Sequence, residues 1–554
     1  MKTKGASILL ECMRKEGVST VFGYPGGAVI PIYDALLDTS LHHVLVRHEQ
    51  AAAFAADGYA RATGLTGTCI ATSGPGATNL ISGLANAYMD SIPLVAITGQ
   101  TSSHLLGTDS FQEADLTGIT LPITKHSYLV KDVANLARCV REAYHIASTG
   151  RKGPVLIDLP KDVSMAETEF LYPKKVNIPG YRPTLNGHPM QVVRAAEALN
   201  RARRPLLLLG GGVISSGASQ LARDLVREFR IPCVCTLMGL GAIPGDDPMF
   251  LGMIGMHGKI AANRAVSSCD LLFAVGTRFD DRATCALDDF APAATIVHVD
   301  IDPAEIGKNV PADIPIVGDA RIVLEDMLPK IKRVDREEWL HQLDSFRTLA
   351  EVSPREGGLT AQQVYSSLGS FLSREAVVVT DVGQHQMWAA LHLIHRLPRH
   401  FITSGGLGAM GYGLPAAIGV QVGKPGSQVV LVSGDGSIQM NVQELATVHT
   451  YNLPVKAFIM NNGCLGMVRQ WQELLFDRRY SSVFLDGNPD FVRLAEAYGV
   501  TGLRASHPSE LGDVINAALS SEDPVIVDVQ IKTEENVFPM VPPGQGYQKV
   551  LQAK

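Results

Sequence analysis

The stretch SGDGSIQMNVQELATVHTYNLPVKAFIMNN, residues 433–462, decides the architecture of this chain because it occurs twice in related form. Residues 73–100 read SGPGATNLISGLANAYMDSIPLVAITGQ. Each copy runs from Ser-Gly-x-Gly through a helical pattern of about five turns to a proline and then an apolar strand. The repeat predicts two domains with one shared architecture. The copies differ where Asp435 replaces Pro75, and a carboxylate that the fold does not require indicates chemistry.

Apolar runs of strand length alternate with helical patterns along the whole chain. Continuous Val, Ile and Leu runs between helices are typical of parallel sheets buried on both faces. The predicted fold class is therefore α/β, with three domains, each a mostly parallel sheet flanked by helices. Residues 163–190 and 328–360 read as linkers, which predicts domains at 1–165, 190–328 and 360–540. The predicted strands lie in TGTCIATSG, IPLVAITGQ, GPVLIDLP, RPLLLLGGG, DLLFAVGTR, ATIVHVDID, EAVVVTDVG, SQVVLVSGDG, PVKAFIMNN and DPVIVDVQI.

Composition excludes several classes of function. The net charge of −7, with no basic block, argues against a nucleic-acid-binding surface. No run of about 18 apolar residues occurs, so we expect no transmembrane helix. The N-terminus MKTKGASILLECMRKEG reads as an amphipathic helix and not as a signal peptide, which predicts a cytoplasmic protein. Eight scattered cysteines predict buried free thiols, with no disulfide and no zinc site.

The turn at Asp435 has the composition of a cation and phosphate site. Gly434-Asp435-Gly436 ends one predicted strand, and Asn461-Asn462 ends the next after 24 intervening residues. Open α/β sheets bind ligands at the carboxyl ends of their strands. A carboxylate, an amide oxygen and diphosphate oxygens suit Mg²⁺, and a helix from Ser437 would present free N–H groups to a phosphate. The alternative is an ordinary turn with Asp435 as a helix cap.

The GDG and NN spacing resembles the diphosphate-anchoring motif of thiamine-diphosphate-dependent enzymes. In that family the metal is bound by the aspartate, the second asparagine and a backbone carbonyl, which here implies Asp435, Asn462 and the carbonyl of Cys464. The family also uses a Glu on the first domain to hydrogen-bond the cofactor's aminopyrimidine, and Glu49 in RHEQAAAFAADGYAR matches it. Read locally, Glu49 is instead a first-turn acid that complements a helix dipole.

The resemblance narrows through further segments spread from about residue 5 to 545. These segments are similar to the large catalytic subunit of the biosynthetic, FAD-containing acetohydroxyacid synthases, also called acetolactate synthases. They are GYPGGA, HEQAAA, ATSGPGATN, DSIPLVAITGQ, GTDSFQE, KHSYLV, DLPKDV, GMHG, RFDDR, DVGQHQMW, GMVRQWQ and VPPG.

This resemblance implies an activity and a set of partners. The enzyme would decarboxylate pyruvate on thiamine diphosphate and join the two-carbon unit to a second pyruvate or to 2-oxobutanoate, giving 2-acetolactate or 2-aceto-2-hydroxybutanoate. This is the first common step of branched-chain amino acid biosynthesis. The implied cofactors are thiamine diphosphate, Mg²⁺ and FAD. The implied assembly is a homodimer or homotetramer, with a possible small regulatory subunit, no nucleic acid and no membrane.

The resemblance also implies the site residues. The catalytic residues would be Glu49, Gly27, Gln112 and Lys161. The thiamine diphosphate contacts would be Glu49, Val382, Gly383, Gln384, His385, Gly408, Met410, Gly434, Asp435, Gly436, Ser437, Asn462, Leu465, Gly466 and Met467. The FAD contacts would be Arg151, Gly210, Gly211, Gly212, His257, Gly276, Arg278, Asp300, Ile301, Asp302, Gly318 and Asp319. The substrate contacts would be Phe111, Arg278 and Trp471.

Local alternatives stand beside these roles. Asp300 and Asp302 in VDID suit ribose hydroxyls, although solvated turn acids have the same pattern. Trp471 would favour 2-oxobutanoate as a wall for a longer alkyl chain, and its alternative is core packing. Cys464 stands where the family often has a polar residue, which predicts an activity that is sensitive to thiol reagents.

Four other functions compete with this interpretation. A pyruvate oxidase would share the cofactors but is expected to lack the combination of RFDDR and VRQWQ. A catabolic acetolactate synthase would bind no flavin. A glyoxylate carboligase would carry an apolar residue in place of Glu49. A non-enzymatic nucleotide-binding regulator would leave Glu49, Asp435 and Asn462 unexplained together.

Overall fold

The computed structural model describes residues 2–348 and 358–552, and each predicted domain contains one six-stranded parallel sheet. All ten strands predicted from apolar runs are confirmed. A small antiparallel pair joins β1 to β8. The amino-terminal strands are β1 (Lys2–Lys4), β2 (Thr20–Gly23), β3 (His42–Leu45), β4 (Gly67–Ala71), β5 (Leu94–Gln100), β6 (His126–Leu129), β7 (Pro154–Pro160) and β8 (Glu167–Glu169). The central strands are β9 (Pro205–Leu209), β10 (Cys233–Cys235), β11 (Phe250–Met253), β12 (Leu271–Val275), β13 (Thr295–Asp300) and β14 (Ile314–Val317). The carboxy-terminal strands are β15 (Val377–Thr380), β16 (Phe401–Ile402), β17 (Val429–Gly434), β18 (Lys456–Asn461), β19 (Thr501–Ala505) and β20 (Val525–Gln530).

Helices cover both faces of each large sheet, as a buried parallel sheet requires. The helices up to residue 228 are α1 (Gly5–Lys15), α2 (Ile30–Leu36), α3 (Glu49–Thr63), α4 (Pro75–Thr78), α5 (Ile81–Met89), α6 (Leu116–Thr120), α7 (Val133–Ser148), α8 (Lys161–Met165), α9 (Pro189–Arg201), α10 (Gly211–Ser215) and α11 (Ser219–Glu228). The later helices are α12 (Ile260–Ser268), α13 (Asp281–Thr284), α14 (Ala320–Met327), α15 (Glu337–Arg347), α16 (Ala361–Phe371), α17 (Gln384–His392), α18 (Gly413–Gly423), α19 (Asp435–Ile438), α20 (Leu445–Thr450), α21 (Gly466–Leu475), α22 (Phe491–Ala497) and α23 (Leu511–Ser520). Short 3₁₀ turns lie at Ser103–Leu105, Leu121–Ile123, Leu237–Gly239, Leu287–Asp289, Leu328–Lys330 and Gln439–Glu444.

The first and third sheets have the same topology, which confirms the architecture that the repeat predicted. Their strand orders are β3-β2-β4-β5-β7-β6 and β16-β15-β17-β18-β20-β19. The expected five-turn helix within each copy is wrong, because both helices are interrupted. The first copy breaks between α4 and α5, and the second has a 3₁₀ segment in which Asn441 leaves the helical region with φ −136°.

The central sheet has a different strand order, β11-β10-β9-β12-β13-β14. Numbered along the domain this is 3-2-1-4-5-6, the order of doubly wound dinucleotide-binding sheets. The order reverses between β9 and β12, so the crevice at their carboxyl ends is the expected ligand site. Gly210 and Gly276 follow these two strands directly. The topology therefore places the glycine turn of LLLLGGG at the switch point.

The alanine-rich helix α3 packs against α18 of the carboxy-terminal domain. Its residues from Ala51 to Ala62 are all buried. A Cβ on Gly419 would lie 1.8 Å from the carbonyl oxygen of Ala55, and one on Gly58 would lie 2.3 Å from that of Ala416. The alanines therefore permit close contact between two helices of different domains.

The second predicted linker, 328–360, is only partly extended chain. Its segment 349–357 lies outside the described residues. Helix α15 lies within it, and the indole of the buried Trp339 donates to the carbonyl of Pro205 at 3.0 Å. Helix α15 therefore belongs to the packing of the central domain. Among residues 2–348 and 358–552, no helix is long and apolar enough to cross a bilayer.

Candidate active site

A narrow cavity lies at the carboxyl ends of β15, β17 and β18. The sequence predicts a ligand site here, at the turn Gly434-Asp435-Gly436 of the second repeat copy. Every described residue that lines it comes from the carboxy-terminal domain. Cys464 and all but two of the predicted thiamine diphosphate contacts line it. The exceptions are Gly408, which lines the neighbouring larger cavity, and Glu49. The predicted contacts in the cavity are Val382, Gly383, Gln384, His385, Met410, Gly434, Asp435, Gly436, Ser437, Asn462, Leu465, Gly466 and Met467.

Oxygen ligands converge on one side of this cavity. Asp435 begins the one-turn helix α19, so the helix starts two residues earlier than the sequence predicted. Asn488 donates to the Asp435 carboxylate at 2.7 Å, while burial raises the pKa of Asp435 to about 6. The Asn462 side chain is held between Gln384 and the backbone N–H of Cys464. One carboxylate with amide and carbonyl oxygens is a donor set for a hard cation.

His385 gives this cavity an unpaired polar atom. Its imidazole lies between two glycines, since a Cβ on Gly383 or on Gly434 would approach the ring to 2.9 Å. The ring is buried, and its Nε2 has no hydrogen-bond partner among the described residues. Burial lowers the pKa of His385 to about 3, so the ring is neutral. A neutral imidazole can donate one hydrogen bond to a phosphate oxygen, so the residues present fit a diphosphate.

The predicted sensitivity of Cys464 to thiol reagents is not supported by its environment. Cys464 is 3% exposed, and burial raises the pKa of its thiol to about 11. The thiolate is the reactive species, so this environment disfavours reaction of the Cys464 thiol. All eight cysteines are free, and seven are buried, as the sequence predicted. Among the described residues, no group of three His, Cys, Asp or Glu side chains could hold a metal.

A larger cavity of about 750 Å³ joins the narrow one along Val382, Gly383 and Met467. Arg278, His257 and Trp471 line it together with Gly408. No ion pair or side-chain hydrogen bond involves the Arg278 guanidinium within the described residues, so it can bind a carboxylate bidentately. The Trp471 indole Nε1 is buried and has no hydrogen-bond partner in residues 2–348 and 358–552, and Arg282 lies over the ring at 5.6 Å from its centroid. Trp471 therefore lines a cavity and is not core packing.

A third crevice lies at the switch point of the central sheet and meets the larger cavity at Arg278. Of the predicted FAD contacts, Arg151, Gly211, Gly212, Gly276, Arg278, Asp300, Ile301 and Asp319 line it. His257 lines the larger cavity instead, while Gly210, Asp302 and Gly318 lie outside both linings.

The chain around this crevice is tightly packed and carries buried acids. A Cβ on Gly210 would lie 2.1 Å from the carbonyl oxygen of Gly276, so the two glycine turns must touch. Burial raises the pKa of Asp300 to about 6. Asp302 pairs with Arg151 at 3.1 Å. Glu305 lines the crevice, and one of its carboxylate oxygens is buried with no partner among the residues that the structure describes, so a ribose hydroxyl could donate to that oxygen.

Glu49 lies apart from the Asp435 cavity. It begins α3, which His48 caps by accepting from the N–H of Gln50. Asn79 donates to the Glu49 carboxylate at 3.0 Å, and a Cβ on Gly76 would lie 3.1 Å from its other oxygen. The first repeat copy therefore contacts Glu49 through Gly76 and Asn79, whereas the turn of the second copy lines the cation cavity. Within one chain, Glu49 does not line the cavity that contains Asp435.

The other residues predicted on the first domain also lie outside the three cavities described above. Phe111 is 89% exposed, and Gln112 adopts φ 59° beside Gly74. Lys161 begins α8 at the end of β7, and a Cβ on Gly27 would meet open space. An exposed phenylalanine beside a strained backbone is a surface that a second copy of the chain could cover.

Sequence reasoning missed two carboxylates that line these cavities and a third that accepts from the neighbouring backbone of Gly411 and Gly413. Asp381, Asp90 and Glu305 are carboxylates that the predictions did not include. Asp381 directly follows β15, so its strand-end position was a usable signal. Asp90 and Glu305 lie in irregular segments, where the sequence pattern predicts no common partner.

Comparisons with known proteins agree with this geometry. Residues 3–119, 192–327 and 381–529 match the N-terminal TPP binding domain, the central domain and the C-terminal TPP binding domain of the thiamine pyrophosphate enzymes. The acetolactate synthase isozyme 2 large subunit of Escherichia coli K12 is 47% identical over 99% of both chains. The probable acetolactate synthase large subunit of Methanocaldococcus jannaschii is 48% identical over 99% of this chain and 95% of that protein. The acetolactate synthase large subunit of Parasynechococcus marenigrum is 49% identical, covering 98% and 90%. The chain belongs to the acetolactate synthase large subunits of the thiamine pyrophosphate enzyme family.

Proposed function

We propose that this chain catalyses the acetolactate synthase reaction: pyruvate loses CO₂, and the remaining two-carbon unit is joined to a second 2-oxo acid. The second acid is pyruvate or 2-oxobutanoate. The cofactors are thiamine diphosphate, Mg²⁺ and FAD. Supporting this assignment, the chain belongs to a family whose members carry that name.

The observation that carries the proposal is the junction of the two cavities at Val382, Gly383 and Met467. The narrow cavity has the oxygen ligands for a cation and the unpaired imidazole of His385. The larger cavity has the unpaired guanidinium of Arg278 and the indole of Trp471 as a wall. A cofactor held in the narrow cavity would thus meet a substrate held by Arg278 in the wide one.

The chain's residues have distinct proposed tasks at this junction. Asp435, Asn462 and the Cys464 carbonyl hold Mg²⁺, and His385 donates to the diphosphate. Bound thiamine diphosphate supplies the carbon nucleophile and accepts the electron pair that decarboxylation releases. Arg278 binds the carboxylate of the second acid, and Trp471 contacts its alkyl group.

Glu49 is proposed to move the proton at the cofactor's pyrimidine, from a second copy of the chain. Two observations favour this assignment across chains. The cavity around Asp435 includes no described residue of the amino-terminal domain. Phe111 is exposed on that domain, beside Gln112, as a surface for a partner. A homodimer is then the minimal active unit. A small regulatory subunit is a further proposed partner, because the relatives are named large subunits.

FAD is proposed to bind in the crevice of the central sheet. The 3-2-1-4-5-6 strand order, the paired glycine turns and the unpaired Glu305 oxygen support a dinucleotide there. A purified protein with the yellow colour of a bound flavin would support this assignment. A colourless, fully active protein would favour a flavin-free acetolactate synthase.

The test of the proposed reaction is product formation from pyruvate without oxygen. The protein with thiamine diphosphate, Mg²⁺ and FAD should form acetolactate anaerobically and consume two pyruvate molecules per CO₂ released. A pyruvate oxidase would instead make acetate or acetyl phosphate only when oxygen is present. That second result would overturn the proposal.

A further inference from the structure

A buried ion cluster on the amino-terminal domain lies outside the proposed catalytic residues. Arg61 on α3 pairs with Asp57 at 2.5 Å and with Asp90 at 2.8 Å. The Asp57 and Asp90 side chains are fully buried, and that of Arg61 is 6% exposed. Burying such charges is costly, and apolar replacements often leave stability unchanged or higher. The stability of the fold alone therefore does not account for the cluster.

Both acids of the cluster also bind the carboxy-terminal domain. The Asp90 carboxylate accepts the backbone N–H of Gly405 at 3.0 Å and that of Gly406 at 2.7 Å. Asp57 accepts the hydroxyl of Tyr412 at 2.7 Å. These contacts fall near the two ends of residues 404–412, which we call the glycine segment.

The glycine segment borders the proposed active site. Gly408 lines the larger cavity with Gly405 and Gly406, and Met410 lines the narrow one. Residues 405–407 are exposed, and the side chains nearest to Gly405 and Gly406 include Met238, Met89 and Asp90. At its far end the segment is held by Asp381, which accepts from Gly411 and Gly413 at 2.9 and 3.0 Å. At the near end, Asp90 accepts from Gly405 and Gly406 in the same way.

We propose that Asp90, oriented by Arg61, is a positioning residue that holds the glycine segment of the same chain in register with the cofactor and substrate cavities. Asp90 lies outside the narrow cavity and acts through Gly405 and Gly406. Its charge matters because a carboxylate can accept both N–H groups and the guanidinium together, whereas an amide cannot. The consequence for the cofactor rests on the proposed function, while the effect on the segment does not.

The test compares Asp90→Asn with Glu142→Gln in the full chain. Glu142 is a buried acid of the same domain that pairs with Arg138 at 2.9 Å and accepts from Tyr128, far from the glycine segment. Hydrogen–deuterium exchange of residues 404–412 should become about tenfold faster in Asp90→Asn, with the amides of Gly411 and Gly413 less affected. Glu142→Gln should exchange like the wild type.

A second readout is equilibrium binding of thiamine diphosphate with Mg²⁺, followed by calorimetry. Asp90→Asn should bind about tenfold more weakly and Glu142→Gln within about twofold of wild type. Because the exchange measurement needs no cofactor, failure of the wild type to bind would overturn the proposed function alone. Wild-type exchange and affinity in a folded Asp90→Asn protein would overturn the positioning role.

Tyr412→Phe keeps the test decisive if Asp90→Asn does not fold. This change removes only the hydroxyl that donates to Asp57, and the ring stays in the core. Exchange in the glycine segment should rise about threefold. Unchanged exchange in this variant would contradict the proposal.

Discussion

The amino-terminal and carboxy-terminal sheets have the same strand order but use the same turn differently. In the first sheet the turn at Gly74–Gly76 contacts Glu49 through Gly76, and in the third the turn at Gly434–Gly436 lines the proposed cation cavity. Pro75 or Asp435 fits the fold equally well. The comparison teaches that the repeat supplies a scaffold, and that each copy adds one part of the proposed chemistry: an acid for protons, or oxygen ligands for a cation.

Glu49→Gln should remove the contribution of the first copy. We expect turnover to fall by roughly 10²–10⁴-fold, the usual size of general acid–base catalysis, with the fold retained. The measurements are kcat and the melting temperature, with Glu142→Gln as the matched control. Near-normal turnover would leave Glu49 as a helix-terminal acid only.

Asp435→Asn should remove the contribution of the second copy. Loss of the only carboxylate among the proposed ligands should weaken Mg²⁺-dependent binding of thiamine diphosphate by roughly 100-fold. Asp490→Asn is the control, because Asp490 caps α22 in the same domain away from the cavity. Equal affinity of the Asp435 variant and the wild type, measured by calorimetry, would refute the proposed cation site.

How much of this comparison could be predicted from the sequence is clear from particular residues. The strands followed from apolar runs, and the shared architecture followed from the repeat. The convergence of Asp435 with Asn462 followed from their positions at strand ends. The break at Asn441 did not, because its side chain donates to the carbonyl of Gly411, which is distant in sequence. The contact of the alanine-rich helix α3 with α18 and the contacts of Asp90 could not be predicted either, because they depend on how the domains pack. Periodicity reports which face is buried but not what covers it.

Trp471→Leu should alter substrate choice without affecting either turn. Removing the indole wall should lower the preference for 2-oxobutanoate over pyruvate by about tenfold, the usual value of a small apolar contact. Competition between the two acids measures this ratio. Phe476→Leu is the control, since Phe476 follows the same helix but is 60% exposed. An unchanged ratio would assign selection to other residues.

Strands β7 and β20 offer the smallest test. Their sequences PVLID and PVIVD place Asp158 and Asp528 at matching positions in the two sheets. Asp528 pairs with Arg504 at 3.0 Å, but within the part of the chain that the structure describes Asp158 has only Thr98 and Gln100 as donors. Burial raises the pKa of Asp158 to about 7. The folded state therefore holds a proton that the unfolded state has lost above pH 4, so its stabilising effect declines as pH rises to 7.

That decline should be at most about 1.4 kcal/mol per pH unit for one proton. The free energy of unfolding should be measured by denaturant titration from pH 4 to 8. In Asp158→Asn it should no longer show this decline with rising pH. Asp528→Asn should instead lower stability at pH 8, because Arg504 loses its buried partner. Identical pH profiles for Asp158→Asn and wild type would show that Asp158 does not titrate in this range.

The central claim is that the first copy of one chain and the second copy of another complete one site. Mixing inactive Glu49→Gln and Asp435→Asn proteins under conditions that exchange subunits tests it directly. Each mixed dimer would hold one site with both changes and one with neither, so activity should return to roughly a quarter of wild type. If both changes act within a single chain, activity should stay at the level of the separate variants, and the account of a site shared between chains would be wrong.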